Sequence, residues 1–177
     1  DRYPNGYLKS EALFSQAQTL AMLSRWDELD QTISELLRVN SAYGEDDEIL
    51  YLSGIASFAK LLYQKGVDSF EKMSKQTPSS LYYSGKSYIG LSKPLVAVQK
   101  FQELLQNYPT DPLAEEGRYL LAEAYFAAGD YLSAINGFEK FLQSNPKSYF
   151  APTAAYKIGM SQYAKESYFE ARTAFQS

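Results

Sequence analysis

Phenylalanine recurs along this chain at a nearly fixed step, and each recurrence brings the same companions. Phe70, Phe101 and Phe138 are each followed eight residues later by a proline: Pro78, Pro109 and Pro146. Sixteen residues before them stand Gly54, Gly85 and Ala122, and Gly159 stands sixteen before Phe175. Four residues before each Phe comes another small residue: Gly66, Ala97, Ala134 and Ala171. Counted on these markers, with Ile33 in the Phe place of a degenerate first copy, the steps are 37, 31, 37 and 37 residues. A period in this range marks a chain built from repeated supersecondary units. Each unit is too small to bury its own apolar face and must stack on its neighbours.

The apolar spacing inside a copy is helical. In the fourth, Tyr119, Ala122 and Phe126, then Tyr131, Ala134, Ile135, Phe138 and Phe141, fall at steps of three and four. Gly129-Asp130 interrupts the run and predicts a turn. Asp111-Pro112 predicts a helix start, Asp as cap and Pro at the first helical position. Small residues at Ala122 and Ala134 let two helices approach closely, so that Phe138 can fill the gap toward the next pair. Pro94 and Pro152 sit where helices begin, which Pro tolerates. The short 31-residue step crosses Thr77-Pro78-Ser79-Ser80, and that junction is expected to be tight. The fold class predicted is all-α, a stack of antiparallel helix pairs.

This pattern resembles the tetratricopeptide repeat (TPR), most clearly over Arg118–Phe138 and the closing Pro146. Small residues stand where the two helices touch, aromatics at the ends of the contact, and a proline after the second helix. The helix-two opener is Trp26, Tyr63, Tyr131 or Tyr168. The resemblance implies a right-handed superhelical solenoid over 1–177. Its divisions are the end of a preceding repeat (1–4), a degenerate repeat (5–41), full repeats at 42–78, 79–109 and 110–146, and a truncated one at 147–177. Tyr3-Pro4 matches the closing Tyr108-Pro109, so both ends are expected to be cuts through a longer protein.

In such arrays the first helix of each pair lines the concave face. Position five reads Phe14, Tyr51, Tyr82, Tyr119 and Tyr156; position nine reads Gln18, Ile55, Lys86, Glu123 and Met160; position twelve adds Phe58, Phe126 and Tyr163. Sixteen tyrosines in 177 residues need a reason, and a ladder of aromatics with polar tips in a groove is one. Packing is the other, because aromatics at these places occur in TPR arrays whatever they bind. The groove also carries Glu11, Glu48 and Glu116. With aromatics at position five and one cation, Lys86, at position nine, the carboxylate-gripping set of chaperone-binding members is missing. A neutral or basic extended segment of a partner suits this groove better than an acidic one.

Composition narrows the function. A formal charge of −4 argues against nucleic acid, and there is no basic membrane-surface helix. No apolar run is long enough to cross a bilayer. With neither Cys nor His, thiolate metal sites, disulfides and the commonest general base are excluded. There is no phosphate-cradling Gly-rich loop, and Glu115-Glu116 and Asp27-Glu28 read as solvated faces rather than paired catalytic carboxylates. The cluster Glu45-Asp46-Asp47-Glu48 fits a helix N-terminus and lacks the ligand spacing of a calcium loop. The expectation is therefore a non-catalytic scaffold with no cofactor, binding a protein or peptide. The 37-residue step and Tyr-Pro close resemble the bacterial envelope subgroup, the Tol-Pal coordinators and outer-membrane barrel-assembly lipoproteins. That resemblance implies a periplasmic or envelope role, with the cytoplasm as the alternative. Self-association through repeat ends, or regulation of an enzyme attached elsewhere, are the competing functions.

Overall fold

The structure, a computed structural model, describes residues 5–176, with side chains over 7–166. Tyr3, Pro4 and Ser177 lie outside the described residues, as do the side chains of Tyr168, Ala171 and Phe175. Everything described is helical or connecting: α1 (Asn5–Met22), α2 (Trp26–Val39), a 3₁₀ turn (Ser41–Glu45), α3 (Asp47–Ala59), α4 (Tyr63–Lys72), α5 (Pro78–Gly90), α6 (Pro94–Asn107), α7 (Leu113–Ala127), α8 (Tyr131–Ser144) and α9 (Ala151–Gln176). The chain forms two compact units, Asp1–Leu91 and Ser92–Ser177.

In the first unit α1 pairs with α2 and α3 with α4, while the first helices α1, α3 and α5 lie side by side. Leu29, Leu36 and Ala17 are fully buried at the α1/α2 contact. Phe70 on α4 is fully buried against Gly54 on α3, where any Cβ would collide with its ring. Gly66 lies against the Gly54 carbonyl, 3.2 Å from where its own Cβ would stand. The second unit repeats this arrangement across α7 and α8. Ala122 and Ala134 are fully buried, and Phe138 and Phe141 close over the Tyr119 ring at 5.7 and 5.8 Å. Fully burying one such ring contributes about 1.5–3 kcal/mol, which short helices need because they are marginal alone.

The helix ends follow from local chemistry. Thr77 and Ser80 form a reciprocal capping box at the start of α5, with Pro78 at its first position. The proline that closes one repeat therefore opens the next, and that makes the junction tight. Asp46 accepts from the amides of Glu48 and Ile49 at 3.0 and 3.1 Å, capping α3. Asp111 accepts from the amide of Leu113 at 2.8 Å, with Pro112 already in helical conformation.

The turn inside each pair is made the same way. Ser24, Leu61, Ser92 and Gly129 all have positive φ (55°, 60°, 55° and 78°), two residues before the second helix opens. At three of them the paired bonds of a Schellman close are present. The amides of Ser24, Leu61 and Gly129 reach three residues back, to Ala21, Phe58 and Phe126. Those of Arg25, Leu62 and Asp130 reach five back, to Leu20, Ser57 and Tyr125. The fifth repeat differs. A break is expected before Tyr168, yet α9 runs on as one helix. The residues at the turn are Ala164-Lys165-Glu166, all good helix formers.

Candidate functional site

The first helices of the first unit present a surface with two adjoining clefts. One, of about 350 Å³, lies between α1 and α3 and is lined by Gln18, Ala21, Met22, Tyr51, Leu52 and Ile55 with Glu48 at its edge. The other, of about 410 Å³, lies between the start of α3, Met73 and the start of α5, where Thr77 and Ser79 contribute. Tyr51 and Glu48 line both, so they form the ridge between them. Asp47 adds a second carboxylate to the larger cleft.

The polar groups here are held in place. Gln18 Nε2 donates to Glu48 Oε1 at 2.7 Å across the α1/α3 cleft. Asp47 accepts from the Ser74 amide (2.6 Å), the Ser74 hydroxyl (2.8 Å) and the Lys75 amide (3.1 Å), which hold its carboxyl below the usual carboxylate range. Tyr43 donates to Glu11 at 3.0 Å. Burial and that carboxylate push the Tyr43 phenol upward.

Sequence reading places thirteen residues on the concave face, and the structure sorts them into groups. Gln18, Tyr51 and Ile55 meet in the α1/α3 cleft. Phe14 packs on Tyr43, ring centroids 5.5 Å apart. Phe58, Tyr82 and Lys86 form a second cluster: Lys86 Nζ donates to the Tyr82 hydroxyl at 2.9 Å and stands 4.8 Å from the Tyr82 ring centre and 5.7 Å from that of Phe58. In the second unit Tyr119, Glu123 and Phe126 come together around Lys157, a residue the ladder does not include. Tyr119 donates to Glu123 Oε1 at 2.9 Å, and Lys157 Nζ lies 2.9 Å from the same oxygen and 4.8 Å from the Phe126 ring centre. Tyr119 also stacks on Phe150 at 4.7 Å. Burial first, and then the Glu123 carboxylate, raise the Tyr119 phenol well above its ordinary value. Tyr156, Met160 and Tyr163 stand apart on an exposed face of α9.

Met22, Met73 and Asp47 line the clefts without belonging to the ladder. Asp47 has a sequence signal, the acidic cluster; the methionines have none, because they lie at helix ends outside the periodic positions. Lys157 follows position five of the last repeat, and nothing local marks it as the partner of Glu123.

A profile of YfiO, described as outer membrane lipoprotein, matches residues 73–177, more than half of the chain. The chain belongs to the YfiO family. No curated protein matches this chain in sequence. Solved structures similar to this family member share its fold at low identity. YrrB, a TPR protein with an unusual peptide-binding site, superposes with a TM-score of 0.74 at 19% identity, over 87% of this chain and 76% of that one. MamA protein gives 0.75 at 17% over 95% and 88%. A tetratricopeptide repeat protein from Parabacteroides merdae gives 0.73 at 17% over 96% and 65%. The all-helical TPR-type fold expected from the sequence is thus the one found.

Proposed function

We propose that this YfiO-family chain is a non-catalytic scaffold of the bacterial cell envelope that holds an extended segment of a partner protein on its first-helix face. The observation that carries this reading is the pair of clefts on either side of Tyr51. They supply apolar floor from Ile55, Leu52 and Met73, and carboxylates from Glu48 and Asp47 at the rim. An extended segment with apolar side chains on alternate residues and a Lys or Arg between them fits that pattern of charge and shape. The family description supports the envelope setting, and no described helix is long and apolar enough to cross a membrane.

The test uses a short labelled peptide alternating Leu with Lys. Glu48→Lys and Tyr51→Ala should each weaken its binding about tenfold, equivalent to about 1.4 kcal/mol, with helical circular dichroism unchanged. Wild-type affinity in both variants would remove the groove from consideration. Fractionation of cells carrying the full-length gene product tests the envelope assignment separately.

Self-association is the second reading, favoured by the face of α9. Tyr156 and Tyr163 are 64% and 71% exposed there, with Met160 between them. Aromatic and Met side chains in such a row are enriched in interfaces. Sedimentation at rising concentration, compared with a Tyr156→Glu and Tyr163→Glu double variant, separates this from peptide binding.

A further inference from the structure

A third cleft, of about 370 Å³, lies in the second unit on the side of the second helices. It runs between α6 and α8 over α7, with Leu105, Leu121 and Phe141 as its apolar floor. Two cations, Arg118 and Lys140, stand at its rim, and no carboxylate lines it. In a chain of net charge −4 this is a local reversal of sign. Arg118 is positioned by a bond from Nη2 to the Pro109 carbonyl at 2.9 Å, which leaves its remaining N–H donors for another acceptor. Among the described residues neither Arg118 nor Lys140 has a carboxylate partner.

The corresponding place in the first unit is built differently. There Ser69 and Ser53 stand where the second unit has Gly137 and Leu121, and the Ser69 hydroxyl reaches Ser53 at 3.4 Å. Gly137 instead lets α8 approach α7 closely, 2.9 Å separating Ala122 Cβ from where a Cβ would stand. It leaves no side chain over Leu121, so the cleft stays open. The repeat thus has a polar bridge at this place in one unit and an apolar slot rimmed by cations in the other.

We propose that this cleft binds an acidic segment of a partner protein, an apolar side chain seated on Leu105, Leu121 and Phe141 and a neighbouring carboxylate held by Arg118 and Lys140. Charge complementarity selects the occupant. Guanidinium and ammonium groups beside an apolar floor favour a carboxylate flanked by a large side chain and disfavour the basic segment suited to the first-helix face. The site is independent of the groove proposed above and lies wholly within the second unit.

The test measures binding of a short fluorescein-labelled peptide, alternating Leu or Phe with Asp, against its twin carrying Lys for Asp. The whole 177-residue chain is used. The acidic peptide should bind at least about tenfold tighter than the basic one at this site and weaken as salt rises. Lys140→Glu, an exposed position, should weaken binding of the acidic peptide about tenfold without weakening that of the basic one, Lys140→Arg should restore it, and Lys72→Glu, an exposed charge reversal in the first unit, should leave it unchanged. A loss of basic-peptide binding as large as that of the acidic peptide in Lys140→Glu would overturn the proposal, and so would indifference of the acidic peptide to Lys140→Glu. Capture of phosphatidylglycerol vesicles in place of the peptide, or concentration-dependent dimerisation abolished by Lys140→Glu, would overturn it in favour of a lipid surface or a second copy.

Discussion

Tyr82 in the first unit and Tyr119 in the second are 5% and 6% exposed, while Tyr156, at the same position of the last repeat, is 64% exposed. The residue type is identical and the helix position is identical. Around Tyr119 the difference has a visible cause: Phe150, in the turn just before α9, stacks on its ring, and Lys157 ties Glu123 beside it. Nothing described plays those parts for Tyr156. Tyr119 is covered by the segment that follows its own helix pair, so its burial is a property of neighbours rather than of the side chain. In the first unit the α1, α3 and α5 row leaves clefts flanking Tyr51. In the second, the α7/α9 contact is bound up in a cation–aromatic bracket.

The largest test of this contrast removes the shared element. Phe70 and Phe138 are both fully buried beside a small residue of the partner helix. Phe70→Ala and Phe138→Ala should each cost about 3–5 kcal/mol of stability. Amide exchange should show the first loss concentrated in Asp1–Leu91 and the second in Ser92–Ser177. Equal spreading of both losses over the whole chain would mean that the two units do not respond separately.

Next comes the bracket that distinguishes the second unit. Lys157→Ala removes a half-buried ion pair and a cation–aromatic contact, together worth about 1–2 kcal/mol. It should also raise the exposure of Phe126, readable by NMR shifts of that ring. A loss no larger than that of an exposed lysine such as Lys147 would show the bracket to be incidental.

The fold was legible because its determinants are local and repeated. Phe70, Phe101 and Phe138 mark the period, and all three are fully buried. The small residues sixteen and four places before them are there because a second helix must fit against the first, as the collision of Phe70 with any Cβ at Gly54 shows. The turn at Gly129 could be read from glycine, but those at Ser24, Leu61 and Ser92 could not, since nothing in these residue types signals a positive φ. The candidate site was less legible for the reason Tyr156 illustrates. Periodicity says that a side chain sits on the inner face, but whether the next helix covers it depends on Phe150 and Lys157, residues outside the periodic set. The clefts beside Tyr51 likewise depend on Met22 and Met73 at helix ends.

The turns offer a smaller and opposite effect. Leu61 holds a left-handed conformation with its side chain 68% exposed, where Gly129 serves in the second unit. Leu61→Gly should stabilise the first unit by about 0.5–1 kcal/mol, since strain of about 1–2 kcal/mol is relieved and the extra chain entropy of glycine offsets part of it. Gly129→Leu should destabilise the second. Thermal unfolding midpoints moving the same way in both variants would contradict the assignment of strain.

The smallest effect separates the units by pH. Asp47 is held below the usual carboxylate range by the Ser74 hydroxyl first, then the Ser74 and Lys75 amides. The corresponding residue of the second unit, Glu115, is exposed, and Leu142 stands where the first unit has Ser74. A carboxyl with a depressed folded value contributes stability that is fully present above its unfolded value, near pH 4, and is lost as pH falls through the folded one. Asp47→Ala should therefore weaken the first unit at pH 7, and the gap between variant and wild type should shrink at pH values below about 4. Denaturant unfolding at neutral and acid pH measures both, and a gap of the same size at the two would mean that the bonds from Ser74 and Lys75 add nothing to the charged form. Because Asp47 also lines the larger cleft beside Tyr51, the same protonation removes one of its two carboxylate charges. Binding of a basic segment should then fall over the window in which the α3–α4 end loosens.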